Sequence, residues 1–363
     1  MRILFEEHAE KQRVGGIEAA THGLATSLGA NGLQVTRRLS KRLDRDLNYP
    51  DCVHLHGFWS PSLAGRIVYW RLQGVPCVVT VHGMLEPIAF AHKKIKKQIV
   101  WHLYLKRLLN QVSALHATSE REAENLRKLG LKVPISVIPW GVEMPEKNSE
   151  VLNFEGRVGQ GETGKATFSS IQNPVRAALY VGRICSVKGL VMLVEAWASL
   201  RPEGWRMKIV GPDETGHRAE LEALVREAGL QAEFEFTGPI KGSALSKAYS
   251  AADLFILPSY TENFGMVVAE AMAHGLPVIT TEGAPWRILQ SNGCGWWVPV
   301  SAEGITDALR DAVRKSPEEL SCMGERARKV VAEHFTWSTS ARRFETLYQW
   351  LLGKRDWPSF VGR

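Results

Sequence analysis

Two doubly wound α/β domains facing each other across a cleft are what this sequence predicts. Three observations carry that expectation. Short, near-continuous Val/Ile/Leu runs alternate with amphipathic stretches almost from the first residue, as strands buried on both faces of a parallel sheet require. The alternation stops between Glu143 and Val175, a stretch rich in Gly, Ser, Thr, Asn and Glu with no sustained periodicity, and then restarts. At 363 residues the chain is also too long for one ordinary core.

In the first series the expected strands are Arg2–Phe5, Gln34–Leu39, Cys52–His56, Cys77–His82, Ala114–Thr118 and Ile135–Pro139. Helices Ile17–Gly29, Pro61–Gln73, Ile88–Leu109 and Glu120–Leu129 fall between them. The second series gives strands Ala178–Val181, Met207–Val210, Glu233–Phe236, Leu254–Leu257 and Val278–Thr280, with helices such as Leu190–Leu200 and Glu214–Ala228. Two helices close the chain, Pro317–Glu333 and Ser338–Leu352, the latter with Phe344, Leu347, Tyr348 and Leu351 on one face. Two βαβ series with a break between them divide the chain into a domain over 1–145, a linker over 146–175, a second domain over 176–335 and a terminal helix over 336–363.

Composition narrows the class. Hydrophobic residues at 45% and charged residues at 23% exclude wholesale disorder. No apolar run approaches the roughly 18–20 residues of a membrane span, and Met1–Phe5 followed by Glu6 and Glu7 is too short an apolar segment for a secretory signal. Five cysteines without paired spacing read as reduced thiols of a cytosolic protein. The net charge of +7 is concentrated. Lys93, Lys94, Lys96, Lys97, Lys106 and Arg107 stand against the single acid Glu86 before Asn110. Trp101, Leu103, Tyr104, Leu105 and Leu108 accompany them, which suits a helix lying on an anionic membrane surface; a solvated helix face is the plain alternative. No nucleic-acid-binding module accompanies the charge, so nucleic acid is not an expected partner.

Open α/β sheets bind ligands beyond the carboxyl ends of their strands, and three such ends carry chemistry here. The strongest is Pro258–Val278, where a buried strand ends, a polar turn holds Glu262, and a helix opens near Gly265 and carries Glu270. The N–H groups of Phe264, Gly265, Met266 and Val267 would face a diphosphate or sugar hydroxyls, and the two carboxylates could accept hydroxyls. Glu270 sits among Val267, Val268, Ala269, Ala271 and Met272, where an unpaired acid is costly. In Leu179–Leu190 a strand runs into Gly182 and Arg183, and Lys188 opens the next helix; two cations there can offset charge on a departing diphosphate. The third is Gly15-Gly16 at the start of the first helix, a turn that could admit phosphate.

With these motifs the chain resembles a retaining glycosyltransferase of the family 4 type, glycosyl transferases group 1, with the GT-B fold. The resemblance covers nearly the whole chain and includes Val53–Gly57, Val81–Leu85, Ala117–Ser119, Val137–Pro139 and Phe335–Trp337 besides the motifs above. It implies that Glu270 holds the donor ribose, Glu262 faces the transferred sugar, Arg183 and Lys188 meet the diphosphate, and His82 faces the reacting centre from the opposite wall. It implies a UDP- or GDP-linked sugar donor, no cofactor and no metal, a glycan or lipid-linked acceptor in surface polysaccharide or lipopolysaccharide-type assembly, and a terminal helix crossing back onto the first domain. The expected location is cytoplasmic, peripheral at the inner face of the plasma membrane, with Lys93, Lys94, Lys96 and Lys97 on the membrane and acceptor side. Trp140 stands where the family usually has Asn, and Glu282 lies in a stretch that lacks the family's Gly-Gly-x-x-Glu pattern.

Rival readings remain at this stage. His54 and His56 share a strand face, as in metal-dependent hydrolases, with His82 and His116 in the same half. A nucleotide-sugar epimerase of the same fold is another. Asp44 and Asp46 lie in a polar stretch rather than after a buried strand, so a chance surface pair is expected and no metal is assigned.

Overall fold

The structure, a computed structural model, describes residues 1–8, 15–40, 49–57, 61–87, 94–146 and 175–362. Asp44, Asp46, Lys93, most of the expected linker and the side chains of Lys94 and Lys96 lie outside what is described.

The first sheet comprises β1 (Arg2–His8), β2 (Gln34–Ser40), β3 (Cys52–His56), β4 (Cys77–Thr80), β5 (Ala114–Ala117) and β6 (Ile135–Val137). These strands are parallel in the order β2-β1-β3-β4-β5-β6, and the short β13 (Val361–Gly362) adds antiparallel beyond β6. The second sheet is parallel in the order β9-β8-β7-β10-β11-β12. Its strands are β7 (Arg176–Val181), β8 (Trp205–Val210), β9 (Phe234–Gly238), β10 (Leu254–Leu257), β11 (Val278–Thr281) and β12 (Gly295–Val298). Every residue of β3, β4, β5, β10 and β11 is buried; β10 reads as an unbroken apolar run, while the others bury a histidine or threonine among their apolar residues. Strand order reverses between β1 and β3 and again between β7 and β10, and such switch points open a crevice at the carboxyl edge.

Helices of the first half are α1 (Gly15–Ala30), α2 (Pro61–Leu72), α3 (Lys94–Val100), a π-helical turn (Trp101–Leu105), α4 (Lys106–Leu109) and α5 (Glu120–Lys128). The second half carries α6 (Leu190–Leu200), α7 (His217–Glu227), α8 (Gly242–Ser250), α9 (Met266–Ala273), α10 (Ile288–Ser291), α11 (Ala302–Arg314) and α12 (Pro317–His334), followed by the terminal α13 (Trp337–Leu351). No helix among the described residues is long and apolar enough to cross a membrane.

The basic helix differs from expectation in its phasing. Trp101 is 3% exposed, and Leu105 and Leu108 are also buried against the first core, because their i, i+4, i+7 spacing puts all three on one inward face. Among the described residues of this segment, Ile99 (59%) and Leu103 (69%) are the large apolar side chains left exposed.

The terminal helix returns to the first half. Trp337 fills the space over Gly23 of α1, where a Cβ would meet its ring at 2.3 Å. Phe344, Leu347 and Tyr348 are buried, and Tyr348 reaches His54 of β3. A proton order can be derived for this contact. His116 Nε2 lies 2.7 Å from the Ile138 carbonyl, which can only accept, so His116 Nδ1 is an acceptor. Thr80 Oγ1, 2.8 Å from that Nδ1, therefore donates to it and accepts from His54 Nε2 at 2.7 Å. That leaves His54 Nδ1 to accept from the Tyr348 hydroxyl at 2.7 Å. Burial drives His54 well below the usual histidine range and His116 to about 4, so both rings are neutral, as the relay needs.

Candidate active site

The carboxyl edge of the second sheet is assembled from the loops after β7 and β10. Beyond β7 the chain passes Gly182 and Arg183 into a 3₁₀ turn, Ser186–Lys188, and Gly189 caps α6 in the left-handed conformation (φ 66°). A Cβ on Gly189 would stand 2.1 Å from the Pro258 carbonyl oxygen, so glycine is required for the two loops to touch. That contact brings Lys188 onto Glu262. The two form an ion pair with side chains only 14% and 12% exposed, and Ser259 Oγ donates to the same carboxylate at 2.8 Å.

Glu262 leads into Asn263, Phe264 and Gly265, the last left-handed (φ 79°) as the cap of α9. Phe264 is buried between Trp286 and Phe335, at 5.2 and 5.9 Å between ring centroids, and its carbonyl accepts from Trp286 Nε1 at 2.5 Å. The loop is thereby held rigid from below while Met266 and Val267 form the first turn of α9, whose N–H groups have no partner within the helix. One turn on, Glu270 accepts from the Tyr249 hydroxyl at 2.9 Å, and burial raises its pKa above the usual carboxylate value. Arg183 pairs at 3.0 Å with Glu214 and also feels the charge of Glu262. Lys188 and Glu262 are joined directly in one site, and Arg183 enters it through Glu214 rather than through an ion pair with Glu262.

Across the cleft stands the turn after β4. The strand expected over Cys77–His82 stops at Thr80 because His82 (φ 50°) and Gly83 (φ 69°) are both left-handed, a costly state for a histidine. His82 is held by contacts on two sides. Its ring stacks on Trp140 (centroids 5.8 Å apart, planes 15° apart), and its Nε2 lies 3.2 Å from His56 Nδ1. His56 Nε2 is buried with no partner among the described residues, and an orphaned lone pair costs less than an orphaned N–H. The His56 proton therefore sits on Nδ1 and is donated to His82, whose own proton is then on Nδ1. Burial, with the nearby His116, lowers His82 to about 3, so it is a neutral hydrogen-bonding group. Trp140 thus acts as a wall for His82, and it also stacks on Phe344 of α13.

The two walls meet. A Cβ on Gly83 would be 2.9 Å from Asn263 Cβ, and Arg121 of α5 spans to three carbonyls of the other half, those of Glu262, Gly283 (2.6 Å) and Glu282 (3.0 Å). Arg121, Asn263 and Tyr249 are site residues that sequence reasoning missed. Gly15 and Gly16 open α1, and a Cβ on Gly16 would touch nothing within 4 Å among the described residues.

Both nitrogens of His54 and both of His116 are committed to the relay, and His56 is committed to His82. Among the described residues no group of three His, Cys, Asp or Glu side chains could hold a metal ion.

Comparison with known proteins agrees with this architecture. Residues 167–330 match the family Glycosyl transferases group 1, and residues 21–144 match Glycosyltransferase Family 4. A D-inositol 3-phosphate glycosyltransferase of Actinosynnema mirum is 32% identical over 243 residues, 63% of this chain and 55% of that protein. The chain spans about half the length of the first curated relatives it matches. The GDP-mannose:cellobiosyl-diphosphopolyprenol alpha-mannosyltransferase of Xanthomonas campestris is 27% identical, with 86% of this chain and 72% of that one covered. Among solved structures, the sucrose-phosphate synthase of Thermosynechococcus elongatus superposes with a TM-score of 0.73 at 21% identity, covering 98% of this chain and all of that one, so the two share the GT-B fold.

Proposed function

We propose, since the chain belongs to the group 1 glycosyltransferases of the family 4 type, that it moves a hexosyl group from a UDP- or GDP-linked sugar to an acceptor hydroxyl with net retention. The observation that carries this reading is the Lys188–Glu262 pair beneath the N-terminus of α9, facing the His82 turn across the cleft. A diphosphate arriving there draws Lys188 from Glu262 and meets the first-turn N–H groups of α9, with Arg183 as a second cation. Glu262, released, accepts hydroxyls of the sugar. Glu270, fixed by Tyr249, takes the ribose. His82, neutral and with its proton on Nδ1, would donate to an oxygen of the sugar without adding charge. The acceptor oxygen attacks the anomeric carbon from the face the diphosphate leaves, the anomeric C–O bond to the diphosphate breaks, and the acceptor's proton passes to the departing diphosphate oxygen.

The diphosphate charge is met by side chains and amides, so turnover in excess chelator is expected to stay at its full value. Activity that vanishes with chelator and returns with a divalent ion would overturn that part. Glu270→Ala is expected to weaken nucleoside diphosphate binding, whereas Glu262→Ala lowers mainly kcat. Wild-type kinetics in both would refute the assignment.

For the acceptor we favour a lipid-linked glycan reached from the cytoplasmic membrane face, in surface polysaccharide or lipopolysaccharide-type assembly. Two features support this: the lysine-rich segment around α3 with Ile99 and Leu103 exposed beside it, and the relative named for a diphosphopolyprenol-linked acceptor.

A further inference from the structure

One buried carboxylate lies between the two walls and has no part in the chemistry above. Glu122 is 2% exposed, at the third position of α5, whose N-cap is Ser119. Ser-x-x-Glu at a helix start is the sequence of a capping box, in which the Glu would return to the N-cap N–H near solvent. Glu122 does something else. Its Oε2 accepts from the Thr118 N–H at 2.7 Å, and its Oε1 accepts from the Gly83 N–H at 2.9 Å. The third donor comes from the other half of the protein. Pairing donors with acceptors orients the Asn263 amide with its nitrogen 2.9 Å from Oε1 and 3.1 Å from Oε2, and with its oxygen 3.0 Å from Thr118 Oγ1, whose one proton is shared between that oxygen and Glu122 Oε2 at 2.9 Å. One carboxylate thus ties the amide after His82 to the residue after Glu262.

We infer that Glu122 is a positioning residue: it fixes the His82–Gly83 turn against the donor loop through Asn263, holding the two walls of the cleft in register for transfer. The inference rests on the transferase reading. A buried carboxylate is an expensive way to start a helix, and an N-cap serine already accepts from the Glu122 N–H at 3.2 Å. The same group is well suited to hold three N–H donors from three separate segments. His82 occupies a backbone state it would otherwise leave, and the hydrogen bond to the next amide helps to keep it there. Loss of the carboxylate should therefore loosen geometry at the reacting centre while leaving the nucleotide contacts at Glu270 in place.

The test uses the full chain with Glu122→Gln and Glu122→Asp. Glu122→Gln keeps the shape and one acceptor oxygen but turns an N–H group against backbone donors. It is expected to lower kcat at least tenfold, with donor KM within threefold of wild type and Tm at pH 8 not reduced. Glu122→Asp, which keeps the charge one methylene short, should recover part of kcat. Hydrogen exchange at the Gly83 amide and in the 260–265 segment should quicken in Glu122→Gln. Wild-type kcat, or a kcat loss matched by a fall in Tm, would overturn the inference. Should the unaltered protein release no nucleoside diphosphate from any nucleotide sugar, the transferase reading fails instead. The exchange rates would still decide whether Glu122 clasps the two walls.

Discussion

Replacing Lys188 by methionine tests the ion pair on which the site is built. Its partner Glu262 would keep the Ser259 hydroxyl as donor but lose its counter-charge in a place only 12% exposed. Breaking a fully buried pair costs ~3–5 kcal/mol; the residual exposure and the Ser259 hydrogen bond reduce this to about 3 kcal/mol. Glu262→Gln strands the ammonium in turn and should cost about 2 kcal/mol by the same reasoning. The double variant leaves no unpaired charge, so it should cost about 2 kcal/mol rather than the 5 kcal/mol that additivity would give, a coupling of roughly 3 kcal/mol. For a domain of this size each kcal/mol shifts Tm by about 2–4 °C, so Lys188→Met should melt roughly 6–12 °C below wild type. Urea unfolding of the four proteins, followed by tryptophan fluorescence, measures the cycle. Costs that add within 0.5 kcal/mol would refute a native Lys188–Glu262 pair and with it the switch of Lys188 from Glu262 to diphosphate.

Further outcomes follow from the same structure. Burial raises Glu122 from 4.5 to about 7 despite the hydrogen bonds from Thr118 and Gly83. Its protonated form is therefore favoured by folding, a contribution fully present below pH 4.5 and lost as pH rises through about 7. Glu122→Gln should remove up to about 3 kcal/mol of that pH dependence, and an unchanged stability–pH profile would contradict it. Thr80→Val orphans His54 Nε2–H and His116 Nδ1 together and should cost about 3 kcal/mol; an unshifted Tm would refute the proton relay. Glutamine at Lys93, Lys94, Lys96 and Lys97 should abolish sedimentation with anionic vesicles, since surface lysines contribute ~1 kcal/mol each. Unaltered vesicle binding would make this helix an ordinary solvated face.

The parallel strands were legible because burial on both faces favours apolar runs, without interruption in Leu254–Leu257 and with only a histidine or threonine in others such as Cys52–His56. β12 was not, because it opens on Gly295 and presents two tryptophans. Glycine is required there, since a Cβ would lie 2.2 Å from the Val278 carbonyl oxygen, and that constraint comes from the neighbouring strand. α11 went unread although Ser301 caps it and Ile305, Ala308, Leu309 and Ala312 line its buried face. Trp101 was grouped with the lysines, although its i, i+4, i+7 spacing to Leu105 and Leu108 sets the three on one buried face. Glu262, Glu270 and Lys188 could be found from their loops, but the pairing of two of them, 74 positions apart, depends on the Gly189–Pro258 contact. Glu122 was hidden by its own motif, since a capping box and an interdomain clasp share one spelling.

Release of nucleoside diphosphate is the measurement closest to the central claim. The protein would be incubated with a panel of UDP- and GDP-linked hexoses in excess chelator, with and without polyprenyl-diphosphate-linked acceptors. The account predicts release from one donor, stimulated by an acceptor, with kcat strongly reduced in Glu262→Ala and binding weakened in Glu270→Ala. No release from any donor, together with no thermal stabilisation by UDP or GDP, would contradict it.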